Sequence, residues 1–114
     1  MQITETLLVT SAQQWREWLA QHHAERKEIC LLYYKKSSDK TGISYEESVE
    51  EAWCCGWIDE TTKGIDEESY AGRLTPRRAR SQWSESNRAR VVRLLREGKM
   101  TPAGLALLPQ DLLI

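Results

Sequence analysis

A helix that has to stop at Gly56 and a strand that has to start at Trp57 set the frame for the whole chain. Ser44-Tyr45-Glu46-Glu47 has the form of a capping box, in which the Ser hydroxyl and the Glu carboxylate each accept a free backbone amide at the helix start. From there Tyr45, Val49, Ala52 and Trp53 recur at helical spacing, while Glu46, Glu47, Glu50 and Glu51 fall largely on the far side. Gly56 is the residue type that turns left-handed just beyond a helix end. Trp57 to Ile65 then alternates as a strand, and Asp66-Glu67-Glu68-Ser69 supplies a polar turn. Tyr70 to Thr75 returns beside it, and Pro76, lacking an amide proton, ends the pairing.

The flanking segments carry equally definite signals. Ile3 to Val9 is short and apolar, an entry strand. Ser11-Ala12-Gln13-Gln14 opens a helix whose Ala12, Trp15, Trp18, Leu19 and His22 share one arc. His22 and His23 sit near its C-terminus, where surface or structural roles suffice for both. Glu28 to Lys36 holds a compact apolar run of strand length, Ile29 to Tyr34. Ser84 is a credible N-cap for a helix to Glu97, closed by Gly98, with Val91, Val92, Leu94 and Leu95 inward. Thr101-Pro102 starts a last short helix, Pro at its first position. The order β-α-β-α-β-β-α-α predicts an α+β fold: a small, mostly antiparallel sheet of about four strands with helices packed on it. One domain over residues 1–114 is expected, with Trp15, Trp18, Trp53 and Trp57 in its core.

Several function classes are disfavoured. No stretch approaches the roughly 18 apolar residues of a membrane span, so no membrane insertion is expected. Three cysteines, two of them adjacent, make neither a disulfide framework nor a zinc site, and a cytoplasmic location is expected. The N-terminus, Met1-Gln2-Ile3-Thr4-Glu5, lacks the basic stretch and long apolar run of a signal peptide. The four glutamates of the second helix lack the alternating oxygen ligands and Gly turn of a calcium loop. No metal, no cofactor and no catalytic residue is expected. A Cys–His pair would need a thiolate-stabilising setting, and Asp59 has no second carboxylate spaced to share acid/base work.

What the architecture does not require is the positive charge of Thr75 to Ser84. Residues 1–72 hold 7 Lys/Arg against 14 Asp/Glu, whereas residues 73–114 hold 9 against 3. The two halves can neutralise each other, or the basic half can serve an anion. Arg77, Arg78 and Arg80, with Ser81 and Trp83, lead into the helix start at Ser84, where free amides and the helix dipole favour phosphate or carboxylate. Arg88 falls by helical angle beside Val92 and Leu95, and a buried arginine needs a carboxylate, for which Asp59 is the first candidate. The candidate binding set is therefore Asp59, Arg77, Arg78, Arg80, Ser81, Trp83 and Arg88. Nucleic acid is a poorer partner than a small anion or a protein, because a pI near 6.1 is far from a basic footprint.

Three blocks in fixed order carry a family resemblance. They are Glu50-Glu51-Ala52-Trp53-Cys54-Cys55-Gly56-Trp57-Ile58-Asp59, then Thr75-Pro76-Arg77-Arg78-Ala79-Arg80-Ser81-Gln82-Trp83-Ser84, then Asn87-Arg88 through Gly98-Lys99-Met100-Thr101-Pro102. With these the chain resembles the YdeI/OmpD-associated (OmdA) family, whose members are also labelled bacteriocin-protection proteins. Trp53 and Cys55 stand where that family usually has Leu and Phe, and Glu60 where it has Gly. Relatives tend to continue past the Thr-Pro-Ala-Gly helix, so this chain looks short at its C-terminus. The resemblance implies a non-enzymatic bacterial role in stress or antimicrobial-peptide resistance, with an outer-membrane porin or another protein as partner. The alternative reading is a phosphate, nucleotide or nucleic-acid module using the same arginines. An enzyme centred on Asp59 is a distant third.

Overall fold

The computed structural model describes residues 2–78 and 82–112. Its elements run β1 (Thr6–Leu7), α1 (Ala12–His22), β2 (Ile29–Tyr34), α2 (Tyr45–Cys54), β3 (Trp57–Gly64), β4 (Ser69–Pro76), α3 (Glu85–Arg96) and α4 (Pro102–Leu105), then a 3-10 turn at Gln110–Leu112. The expected α+β order is the observed one. Four strands form one sheet in the order β1-β2-β4-β3, antiparallel except for the β1–β2 pair. The entry strand is shorter than the apolar run Ile3–Val9 implies. Its pairing with β2 extends only over Thr6↔Cys30 and Leu7↔Leu31, and beyond it the chain turns so that Val9 is buried.

Helix starts follow the capping residues. Ser11, Ser44, Ser84 and Thr101 each accept an amide of the first turn, and at Ser44 the box is closed by Glu47. In the hairpin, Asp66 Oδ1 accepts from the amides of Glu68 and Ser69 and from the Ser69 hydroxyl, which tightens the turn. A bulge at Glu60 shifts the register from Asp59↔Leu74 to Thr61↔Arg73, and such an extra residue bends an edge strand.

Two apolar clusters share α2. Ala52 and Cys55 join Trp15, Leu19, Leu31, Tyr33, Trp57 and Leu74 against the sheet. Val49, Trp53 and Cys54 join Val91, Leu94 and Leu108 on the other side. Trp15, Trp53 and Trp57 are core as expected, whereas Trp18 is half-buried at the edge of the first cluster, stacked on Trp15. Ser48 is fully buried between the layers with its polar atoms satisfied. Its hydroxyl donates to the Tyr45 carbonyl and takes the Tyr33 hydroxyl, and its own carbonyl takes the Trp15 indole. No helix among the described residues is long and apolar enough to cross a membrane.

α4 is short but anchored. The Thr101 amide and hydroxyl both donate to the Cys54 carbonyl, at 2.9 and 2.6 Å. That brings Gly104 so close to α2 that an added Cβ would lie 2.8 Å from the Trp53 carbonyl oxygen and closer still to that of Cys54. Both obstacles are backbone, so α4 would have to lift away. Gly104→Ala is therefore expected to cost about 1–3 kcal/mol in urea unfolding. Gly64→Ala, where nothing stands within 4 Å of the new carbon, is expected to change stability by well under half the Gly104 value.

Candidate functional site

The first link between the two sequence blocks is a backbone bond. Gly56, at φ 81°, ends α2, and its carbonyl accepts the Arg77 amide at 2.8 Å, one step past the Trp57↔Pro76 pair. This fixes Arg77 beside the C-terminal end of α2. Its side chain is 7% exposed. The guanidinium lies over Trp83, its Cζ 3.6 Å from the ring centroid, and Nη2 donates to the Gln82 carbonyl at 2.8 Å. Nε and Nη1 are buried with no hydrogen-bond partner among the described residues. Burial lowers the Arg77 pKa, and the Asp59 charge offsets this in part from beyond ion-pair range.

Trp83 packs edge-on against Trp53 at 5.3 Å, and Arg90 lies over the other indole, 4.7 Å from the Trp53 centroid. Two arginines thus flank two tryptophans. The outer arginine is committed: Arg90 Nε and Nη2 each reach Glu50 Oε2 at 3.2 Å, and Arg93 reaches the same oxygen at 2.6 Å. No such carboxylate meets Arg77 among the described residues. The indole nitrogens of Trp53 and Trp83 are also buried without an acceptor among the described residues. An unmet buried donor costs about 1–3 kcal/mol, so the cluster carries a deficit of acceptors.

The sequence-derived candidates do not form one cleft. Arg77 and the exposed Arg78 line a recess of about 280 Å³ with Ile58, Glu60 and Thr75. Asp59 opens instead on a smaller recess of about 150 Å³, with Trp53, Asn87 and Arg90. It accepts a 2.5 Å hydrogen bond from the Tyr45 hydroxyl, whose pKa is raised by burial and by that carboxylate. The expected pairing of Arg88 with Asp59 is corrected: Arg88 is half-buried and bonds Asp111. Its face of α3 turns to the C-terminal 3-10 turn rather than to the sheet. Arg80 and Ser81 lie outside the described residues.

Sequence reasoning passed over Tyr45, read only as part of an apolar stripe, and Glu46, read as solvated. Arg90, which the helical pattern of α3 does not single out, carries its long stem across Trp53. The charge asymmetry resolves partly into internal pairs, with Glu28 and Glu60 on Arg73 and Glu50 on Arg90 and Arg93. All three thiols are buried, and burial pushes Cys54 up to about 11 and Cys55 in the same direction, which suits packing rather than nucleophilic attack. Among the described residues no group of His, Cys, Asp and Glu is arranged to hold a metal.

The sequence model of a family described as Domain of unknown function (DUF8412) matches residues 7–107, and the chain belongs to that family. No curated protein and no solved structure matches it.

Burial opposes the Glu50 charge, but hydrogen bonds from Arg93 and Arg90 prevail and hold its pKa below the ordinary value. A carboxylate depressed on folding stabilises the protein above its unfolded pKa, and the benefit fades as pH falls through the folded one. Glu50→Gln is accordingly expected to unfold at lower denaturant than the parent at pH 7. The gap should narrow as the pH is lowered through the acid range. A gap that does not change with pH would detach Glu50 from the arginines.

Proposed function

We propose that this member of the DUF8412 family is a binding module without catalytic activity of its own, and that it takes an anionic group of a protein partner at Arg77 and Arg78. The observation that carries the reading is Arg77 itself, a buried guanidinium held by an indole face, with two nitrogens lacking an acceptor and no carboxylate at ion-pair distance among the described residues. A stacked guanidinium is held in place before a ligand arrives, so little conformational freedom is lost on binding. Arg78 stands exposed in the same recess and adds charge at the entrance.

The resemblance to the YdeI/OmpD-associated family adds a process, resistance to bacteriocins or other antimicrobial peptides, and a porin or other protein as partner. A cationic peptide would be repelled by two arginines, so the module acts through an acidic partner rather than by sequestering such a peptide at this site. The nucleotide alternative is weaker on one observation. The Trp83 face that would stack a base already carries Arg77 at 3.6 Å.

Thermal shift against inorganic phosphate and a short Glu-rich peptide tests this. Both ligands should raise Tm in a saturable way. Arg78→Gln should weaken the response roughly two- to fivefold, as for an exposed charge. Arg77→Lys, which keeps the charge but loses the planar fork, should abolish most of it. A flat response from the parent protein, or one unchanged in both variants, would defeat the reading.

A further inference from the structure

A second cleft, independent of the arginine recess, opens where the far ends of β2 and β4 meet the start of α2. Its volume is about 470 Å³, within the range of small-ligand sites. Its walls are aromatic: Tyr33 stacks on Tyr70 at 5.1 Å and tilts against Tyr45 at 5.3 Å, and Tyr34 completes the lining. Two of these rings are fixed by their hydroxyls, Tyr33 on Ser48 and Tyr45 on Asp59. Gly72 lets the Tyr33 ring lie against the β4 backbone, since a Cβ there would sit 2.8 Å from it. The Tyr34 and Tyr70 hydroxyls have no partner among the described residues.

The charges around the cleft sort into committed and uncommitted ones. Lys35 Nζ donates to the Asp66 carbonyl, and Lys40, over Tyr34, pairs with Glu68. Glu47 closes the cap at Ser44. That leaves Lys36 from the β2 end and Glu46 from α2, opposite charges lining one cleft without an ion-pair partner among the described residues. A ligand of one sign would satisfy one and be repelled by the other.

We propose that this cleft binds a small zwitterionic aromatic compound, an aromatic amino acid or close analogue, with its ring among the tyrosines, its carboxylate toward Lys36 and its ammonium toward Glu46. Aromatic pairs offset or edge-on supply the ring's contact, and the Tyr34 and Tyr70 hydroxyls remain for its polar edge. Burial raises the pKa of Tyr33, Tyr45 and Tyr70, so the walls stay neutral phenols and do not repel the carboxylate.

The test is an amide NMR titration of the whole chain with L-tryptophan, beside tryptamine, which lacks the carboxylate, and 3-indolepropionate, which lacks the ammonium. Saturable shifts are expected at Tyr34, Tyr45 and Tyr70, with each analogue binding roughly two- to fivefold more weakly. Lys36→Gln should erase the advantage of L-tryptophan over tryptamine, and Glu46→Gln its advantage over 3-indolepropionate. Both side chains are exposed, so the fold is expected to survive either change. No saturable binding, shifts centred away from these tyrosines, or equal affinity for all three compounds would overturn the proposal.

Discussion

Gly56 is the point through which the structure is threaded. Its positive φ lets α2 end and β3 begin without an intervening loop, and its carbonyl receives the Arg77 amide. The space a side chain would need is already taken, because a Cβ would lie 3.0 Å from the Ala103 carbonyl oxygen and 3.2 Å from Leu107. One residue therefore joins the end of the central helix, the first hairpin strand, the return of the second strand and the docking of α4. Left-handed backbone and lack of volume are both required there, and only glycine offers both at low cost.

The placement of Arg77 follows from that junction. Once its amide is tied to Gly56, its side chain is delivered to the Trp83 face while Trp53, three residues before Gly56 on α2, meets Trp83 from the other side. The contrast with Arg90 is informative. Both arginines cover an indole, yet Arg90 has Glu50 whereas Arg77 has, among the described residues, a carbonyl and a distant Asp59. The same packing motif thus serves two ends: a closed ion pair that ties α3 to α2, and a buried guanidinium with two donors unmet among the described residues.

Much of this was legible in the residues. Serines and a threonine at the four helix starts, Gly56 and Gly98 at two ends, and Pro76 at the strand end act through backbone chemistry local to themselves. What failed to show depends on how helices rotate against distant partners. Angular spacing fixes where Arg88 lies around the axis of α3, but not that this edge of the helix faces Asp111. Tyr45 and Asp59 are fourteen positions apart and meet only because β3 runs back beneath α2. The apolar run Ile3–Val9 implies a longer entry strand than forms, because apolar character reports burial rather than pairing, and within that run only Thr6 and Leu7 pair with β2.

Packing on Trp83, rather than an ion pair, holds Arg77 in place. A double-mutant cycle on unfolding free energy with Arg77→Met and Trp83→Leu measures it, and Arg77→Met paired with Asp59→Asn measures the rival. A coupling of about 1–2 kcal/mol is expected for the first pair and roughly 0.5 kcal/mol or less for the second. A first coupling near zero, or a second one larger than the first, would mean that Trp83 does not hold Arg77.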